Sequence, residues 1–222
     1  MPRRLIEILL RERISGRGLT FLGLEGSSGM GVIQAGNLVR LFNMRPVGEI
    51  VFYGFPDNLI VDSMGVGKIP TVDIYHAKTG DFNISVFTTM VRQQYIDSLG
   101  NRERNMFFSS LLYTMKLVGS SFLVTIDCVN ASSKNRKAYL IVNSSRLAER
   151  FKDRDDYVLV KGRRLRSSLT LAVAMARFQK IPALQIVLPI RELTESRVQH
   201  GFQSLVSIIN DVLAFIAESG ES

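Results

Sequence analysis

The chain has 222 residues, 46% hydrophobic and 22% charged, a composition that excludes intrinsic disorder; with 17 Gly and 6 Pro and no triplet period it also excludes collagen. One cysteine, Cys128, excludes an internal disulfide and a multi-cysteine zinc site, and two histidines, His76 and His200, are too few for a His-rich metal centre, so neither a metal nor a cofactor is expected. Basic residues outnumber acidic ones 28 to 20, and the resulting net charge of +8 makes nucleic acid a candidate partner only if the cations are placed for it.

Taken in chain order, residues 1–18 read as an N-terminal helical arm. Their apolar stretch is interrupted by Glu7, is too short for a secretory core and is followed by no small-residue cleavage site. Residues 19–25 form an apolar run that reads as a buried strand. It stops at Gly26, Ser27, Ser28, Gly29, Met30 and Gly31, after which Val32, Ala35, Val39 and Phe42 carry helical spacing. Strands are expected over 47–55, 59–63, 71–75 and 83–88, with a hairpin turn at Lys78-Thr-Gly-Asp81. Residues 101–118 form an amphipathic helix, with Phe108, Leu111, Leu112, Met115 and Val118 on one stripe.

Further strands are expected over 122–129, 139–142, 157–160 and 183–188. Helices are expected over 145–152, capped by Ser144 or Ser145, over 168–179 and over 194–218. Strands alternating with helices of about a dozen residues are the pattern of βαβ units. The class is therefore α/β: one domain, 1–222, of three layers, with a mixed, mostly parallel sheet and helices on both faces. No run approaches the roughly 18 uninterrupted apolar residues of a membrane span, so no membrane partner is expected.

Chemistry is sparse. The turn built from Gly26, Ser27, Ser28, Gly29 and Gly31 could aim backbone N–H groups at an anion, yet its G-x-x-G-x-G spacing is neither a dinucleotide fingerprint nor a P-loop. The other use of such glycines is close approach of helix to sheet. Ser28 lacks the last glycine of a nucleophile elbow, Asp73 and His76 point to opposite faces of a strand, and His200 stands apart on the final helix, so no catalytic set is expected. The window 134–166 holds eleven cations, among them Arg163, Arg164 and Arg166, against four acids. No aromatics interleave Arg163, Arg164 and Arg166 for base stacking, so the window reads as a solvated or docking face rather than a nucleic-acid groove. On the last helix Val198, Phe202, Leu205, Ile209, Val212 and Ile216 form a heptad stripe, and Val206, Ile208, Leu213 and Phe215 widen it. An arc this broad predicts burial on two sides, either deep in the core or against another subunit.

The ordering of a strand, Gly26-Ser-Ser-Gly-Met-Gly31, a helix with Gly36-Asn-Leu-Val39, then Val47-Gly-Glu-Ile50 and Phe55-Pro56 resembles the proteasome assembly chaperone family. So does Ser144-Ser-Arg-Leu-Ala-Glu-Arg150 followed by Val160-Lys-Gly162 and a small-residue helix. The resemblance covers residues 19–190 and implies a phosphorylase/hydrolase-like α/β fold without that group's catalytic residues. It further implies a self-assembling, protein-binding, non-enzymatic chaperone of prokaryotic, archaeal type in the cytoplasm, with proteasome subunits or another protein as partners. Archaeal members dock through a hydrophobic–Tyr–any-residue tail; this sequence ends Glu218-Ser-Gly-Glu-Ser222, and docking of that kind is not expected. A second departure is Gly162-Arg-Arg-Leu-Arg-Ser-Ser168 in place of a Gly-x-x-Gly step. The alternative that the residues leave open is a phosphorylase-like small-molecule or anion-binding protein, or an enzyme, using the turn from Gly26 to Gly31.

Overall fold

Ile6, Ile8 and Leu10 recur at every second residue, the period of a strand with one buried face. In the computed structural model, which describes residues 6–25, 29–54, 60–61, 67–130, 137–152, 157–161, 167–190 and 194–218, they lie on strand β1 (Ile6–Leu10). All three pack on the protein core. The helical arm expected over residues 1–18 is corrected accordingly: β-branched residues in alternation satisfy a sheet edge, and the chain then turns directly into β2 (Arg17–Glu25).

The order continues with α1 (Met30–Leu41), β3 (Arg45–Phe52), β4 (Ile60–Val61), β5 (Gly67–Lys68), β6 (Thr71–Thr79), β7 (Phe82–Arg92) and α2 (Gln93–Ser98). Next come α3 (Asn101–Leu117), β8 (Phe122–Asn130), β9 (Ala138–Val142), α4 (Ser145–Arg150), β10 (Tyr157–Leu159), α5 (Ser168–Phe178), β11 (Ala183–Ile190) and α6 (Glu195–Glu218). Nine strands form one mixed sheet in the order β1-β3-β6-β7-β2-β8-β11-β9-β10, while β4 and β5 pair separately. The centre, β7-β2-β8-β11, is parallel, as is β9-β10. β1, β3, β6 and β7 form an antiparallel meander whose last turn is the expected hairpin, Thr79 pairing with Phe82. β9 joins β11 antiparallel.

Both faces of the sheet are covered, which explains why the central strands read as continuous apolar runs. Along β2 the side chains alternate: Leu19 and Phe21 face α1, α4 and α6, while Leu22 and Leu24 face α2, α3 and α5. The stripe expected on α3 is buried throughout, joined by Phe107, whose ring lies 5.3 Å from that of Phe52. α2 was not legible, because its six residues carry no apolar period and bury only Ile96. Ser144 is the cap of α4, accepting from the Leu147 N–H at 3.3 Å. α6 is the one helix among the described residues that is long and apolar enough to cross a membrane; here its apolar arc lies on the sheet.

Candidate functional site

In a sheet of this kind, the crevice beyond the carboxyl ends of the parallel strands is where ligands bind, at the point where successive connections leave on opposite faces. Here β2 leaves through α1 on one face and β7 through α2 and α3 on the other, so the switch lies among the ends of β7, β2 and β8. The side chains gathered beside it are polar. At the end of β8, Asp127 Oδ2 accepts from Ser167 Oγ and from Gln185 Nε2, both at 2.9 Å, and Oδ1 accepts from the Cys128 N–H at 2.8 Å.

Ser167 is at once the cap of α5, accepting from the Leu169 N–H, and an acceptor for Gln93 Nε2 at 3.1 Å. Thr170 Oγ1 closes the other side on Gln185 Oε1 at 2.7 Å, and Ser168 Oγ donates to Asp97. Burial raises the Asp127 carboxyl above its ordinary range, with the nearby Asp97 charge adding to the rise, while the hydrogen bonds from Cys128, Ser167 and Gln185 pull it down. Asp127 could not be given a partner from sequence, because Ser167 and Gln185 are 40 and 58 residues away.

This network joins α2 and α5 to β8 and β11, and Asp127, Ser167 and Gln185 direct their hydrogen bonds to partners within the chain. Ser167 has a carboxylate acceptor but no imidazole beside it. His76 sits on β6, 6% exposed, with Nδ1 3.2 Å from Ser85 Oγ, and His200 is exposed on α6. Burial lowers the pKa of His76, the Arg45 charge lowers it further, and Glu12 opposes them. Asp73 faces the other side of β6 and accepts from Thr71 Oγ1. Nucleophile, base and orienting acid are thus not brought together among the described residues. Nor are any three His, Cys, Asp or Glu among them placed to hold a metal ion.

Of the glycine turn, Gly26, Ser27 and Ser28 lie outside the described residues; Gly29 and Gly31 lie within them. Gly29 is the cap of α1 at φ 66°, a left-handed conformation that suits glycine, with no side-chain hydrogen bond to the helix. Gly31 is pressed onto the sheet: a Cβ there would sit 2.5 Å from the Leu24 carbonyl oxygen and 3.1 Å from that of Ile126. Gly23 answers it from β2, where a Cβ would meet the Gly31 carbonyl oxygen at 2.5 Å. Arg163, Arg164 and Arg166, the expected docking cations, also lie outside the described residues.

The heptad stripe of α6 is corrected in part. Leu205, Ile209, Val212 and Ile216 are buried in the chain's own core, and only Val198 and Phe202 remain half-buried. The second side that the broad arc demanded is internal. Gln34 of α1 donates to the Val198 carbonyl at 3.0 Å, Gly201 fits between Gln34 and Leu188, Phe215 packs edge-on against Phe122, and the Arg146 guanidinium lies 5.1 Å from the Phe215 ring centre.

By sequence the chain matches no family model and no curated protein. By structure it is similar to PbaB of Pyrococcus furiosus, an archaeal proteasome activator, at a TM-score of 0.75 and 11% identity over 98% of this chain and 97% of that one. It is also similar to PbaA of the same organism, an archaeal homologue of proteasome-assembly chaperone, at 0.65 and 11% identity over 92% and 86%. A Mycobacterium tuberculosis proteasome-assembly chaperone homologue matches at 0.62 and 14% identity over 92% and 94%. A nine-stranded mixed sheet between two helical layers is the fold this chain shares with the proteasome assembly chaperone (PAC2) proteins.

Proposed function

We propose that this chain is a non-enzymatic, self-assembling protein-binding scaffold of the cytoplasm, with proteasome subunits or the assembled core particle among its partners. The observation that carries the reading is the likeness to an archaeal proteasome activator over nearly the whole of both chains. The internally satisfied network around Asp127 supports the non-enzymatic part, since a carboxylate already holding three donors offers a substrate little. Because the inner stripe of α6 is used by the core, self-association draws on other surface. Exposed apolar side chains such as Met90, 58% exposed at the end of β7, Leu41 and Ile69, with the half-buried Phe202, Val206 and Leu213 of α6, are among those available for it.

The test is capture of the full-length protein by immobilised 20S core particle, together with its mass by light scattering. Retention on the particle and a mass above one chain are the expected results. A monomer that passes through unretained overturns the reading.

A further inference from the structure

The opposite end of the sheet carries a feature that the fold does not require. Segments entering the amino-terminal ends of the parallel strands converge there. Arg17 opens β2 opposite Phe82, the Ser121 N–H before β8 donates to the Gly18 carbonyl, and the Leu123 N–H donates to the Pro182 carbonyl before β11. Helices α3 and α5 both end at this edge, on the same face of the sheet. The result is a row of exposed cations from separate segments: Arg13, Arg17, Lys78, Lys116, Arg177 and Lys180. Among the described residues, the acids near this end include Glu12, which pairs with Arg45, Glu218, which pairs with Arg150, Glu149, which pairs with Lys152, and the exposed Asp81.

An exposed aromatic ring and a left-handed helix end accompany these cations. Phe178, last residue of α5, is 88% exposed, off the stripe of Leu169, Ala172, Val173 and Ala176 that the helix buries. Lys180 follows it at φ 57°, in the left-handed position that closes a helix and that glycine fills at least cost. The lysine adds a cation at the negative end of the α5 dipole, beside an unburied ring.

We propose that this end of the sheet is a docking face for an acidic protein segment, whose carboxylates meet the cations and whose apolar side chain covers Phe178. A protein is favoured over nucleic acid because the cations fan across the strands from β6 to β11, a span of roughly 19 Å at the usual strand spacing, with Phe178 as the ring among them. A single-strand groove needs aromatics interleaved with its cations. The inference rests on the protein-binding reading above only in taking the partner to be a protein.

The test uses the full chain and fluorescence anisotropy with labelled poly(Glu,Tyr), polyglutamate, a single-stranded oligonucleotide of matched charge, and phosphatidylserine vesicles. The expected results are binding of poly(Glu,Tyr) that weakens with salt, and a loss of about tenfold in Phe178→Ser that polyglutamate does not show. Arg17→Glu combined with Lys180→Glu weakens both polymers by about tenfold or more. Lys180→Gly raises the thermal midpoint while weakening binding. No binding at low salt, indifference to these substitutions, or tighter binding of the oligonucleotide or the vesicles overturns the proposal. Poly(Glu,Tyr) binding without capture by the core particle leaves this face standing and removes the proteasome reading; capture without poly(Glu,Tyr) binding does the reverse.

Discussion

Gly23 and Gly31 lie backbone against backbone: a Cβ on Gly23 would stand 2.5 Å from the Gly31 carbonyl oxygen, and one on Gly31 would stand 2.5 Å from the Leu24 carbonyl oxygen. The second glycine of this contact sits within β2, three residues ahead of the glycine turn, and it is this pair that lets α1 lie on the sheet. Either residue changed to Ala is expected to cost about 1–3 kcal/mol, since backbone atoms rather than a flexible side-chain tip must give way. Gly36, with nothing within 4 Å of its would-be Cβ, is the control: Gly36→Ala is expected to stabilise by about 0.5–1 kcal/mol through helix propensity. Urea midpoints at constant m-value measure both, and equal effects at Gly31 and Gly36 would remove the close-approach account.

The Asp127 network predicts a pH signature. A carboxyl whose folded pKa is raised binds its proton more tightly folded than unfolded, so it favours folding increasingly as pH falls from neutral through the folded value toward the ordinary one of 3.8. Asp127→Asn removes that contribution. The stability difference between wild type and variant should therefore shift toward wild type between pH 7 and pH 4.5 in paired urea titrations, and a difference independent of pH counts against it.

His76 has the opposite sign. Its folded pKa is lowered by burial, so the unfolded chain takes up the proton first and stability is lost as pH falls below about 6.5. His76→Gln should flatten the fall in stability below that pH. An unchanged slope would show that the ring reaches water when protonated.

For α6, truncation of the inner stripe should act on folding and not on assembly. Leu205→Ala is expected to cost about 2–5 kcal/mol, the range for deleting a fully buried leucine, with the mass by light scattering unchanged. A change of mass without a loss of stability would return the stripe to a subunit interface.

Two threonines offer a gain. The hydroxyls of Thr20 and Thr125 are buried with no hydrogen-bond partner among the described residues, and Thr20 lines a small void with Leu22, Phe108 and Leu123. Thr20→Val keeps the shape and drops an unpaired polar atom, so it should raise stability by about 1 kcal/mol. A loss of stability would place a hydrogen-bonded water in that void.

Local chemistry in the sequence sufficed for much of this. The buried strand β2, the stripe of α3, the Ser144 cap and the hairpin at Thr79 and Phe82 are all legible, because the periods of side-chain burial and the residues that end helices and strands act over a few neighbours. β1 is not legible, because a few apolar residues beside charges serve a sheet edge as well as a helix, and only pairing with β3 chooses between them. Distance along the chain hid the rest. Asp127 meets Ser167 and Gln185, Gly23 meets Gly31, and Gln34 meets the Val198 carbonyl through contacts that no local period encodes. The apolar arc of α6 was fixed by its amino acids; whether that arc faces a partner or the chain's own core was decided by where α1 and the sheet stand, since burial depends on what surrounds a side chain and not on its neighbours in sequence.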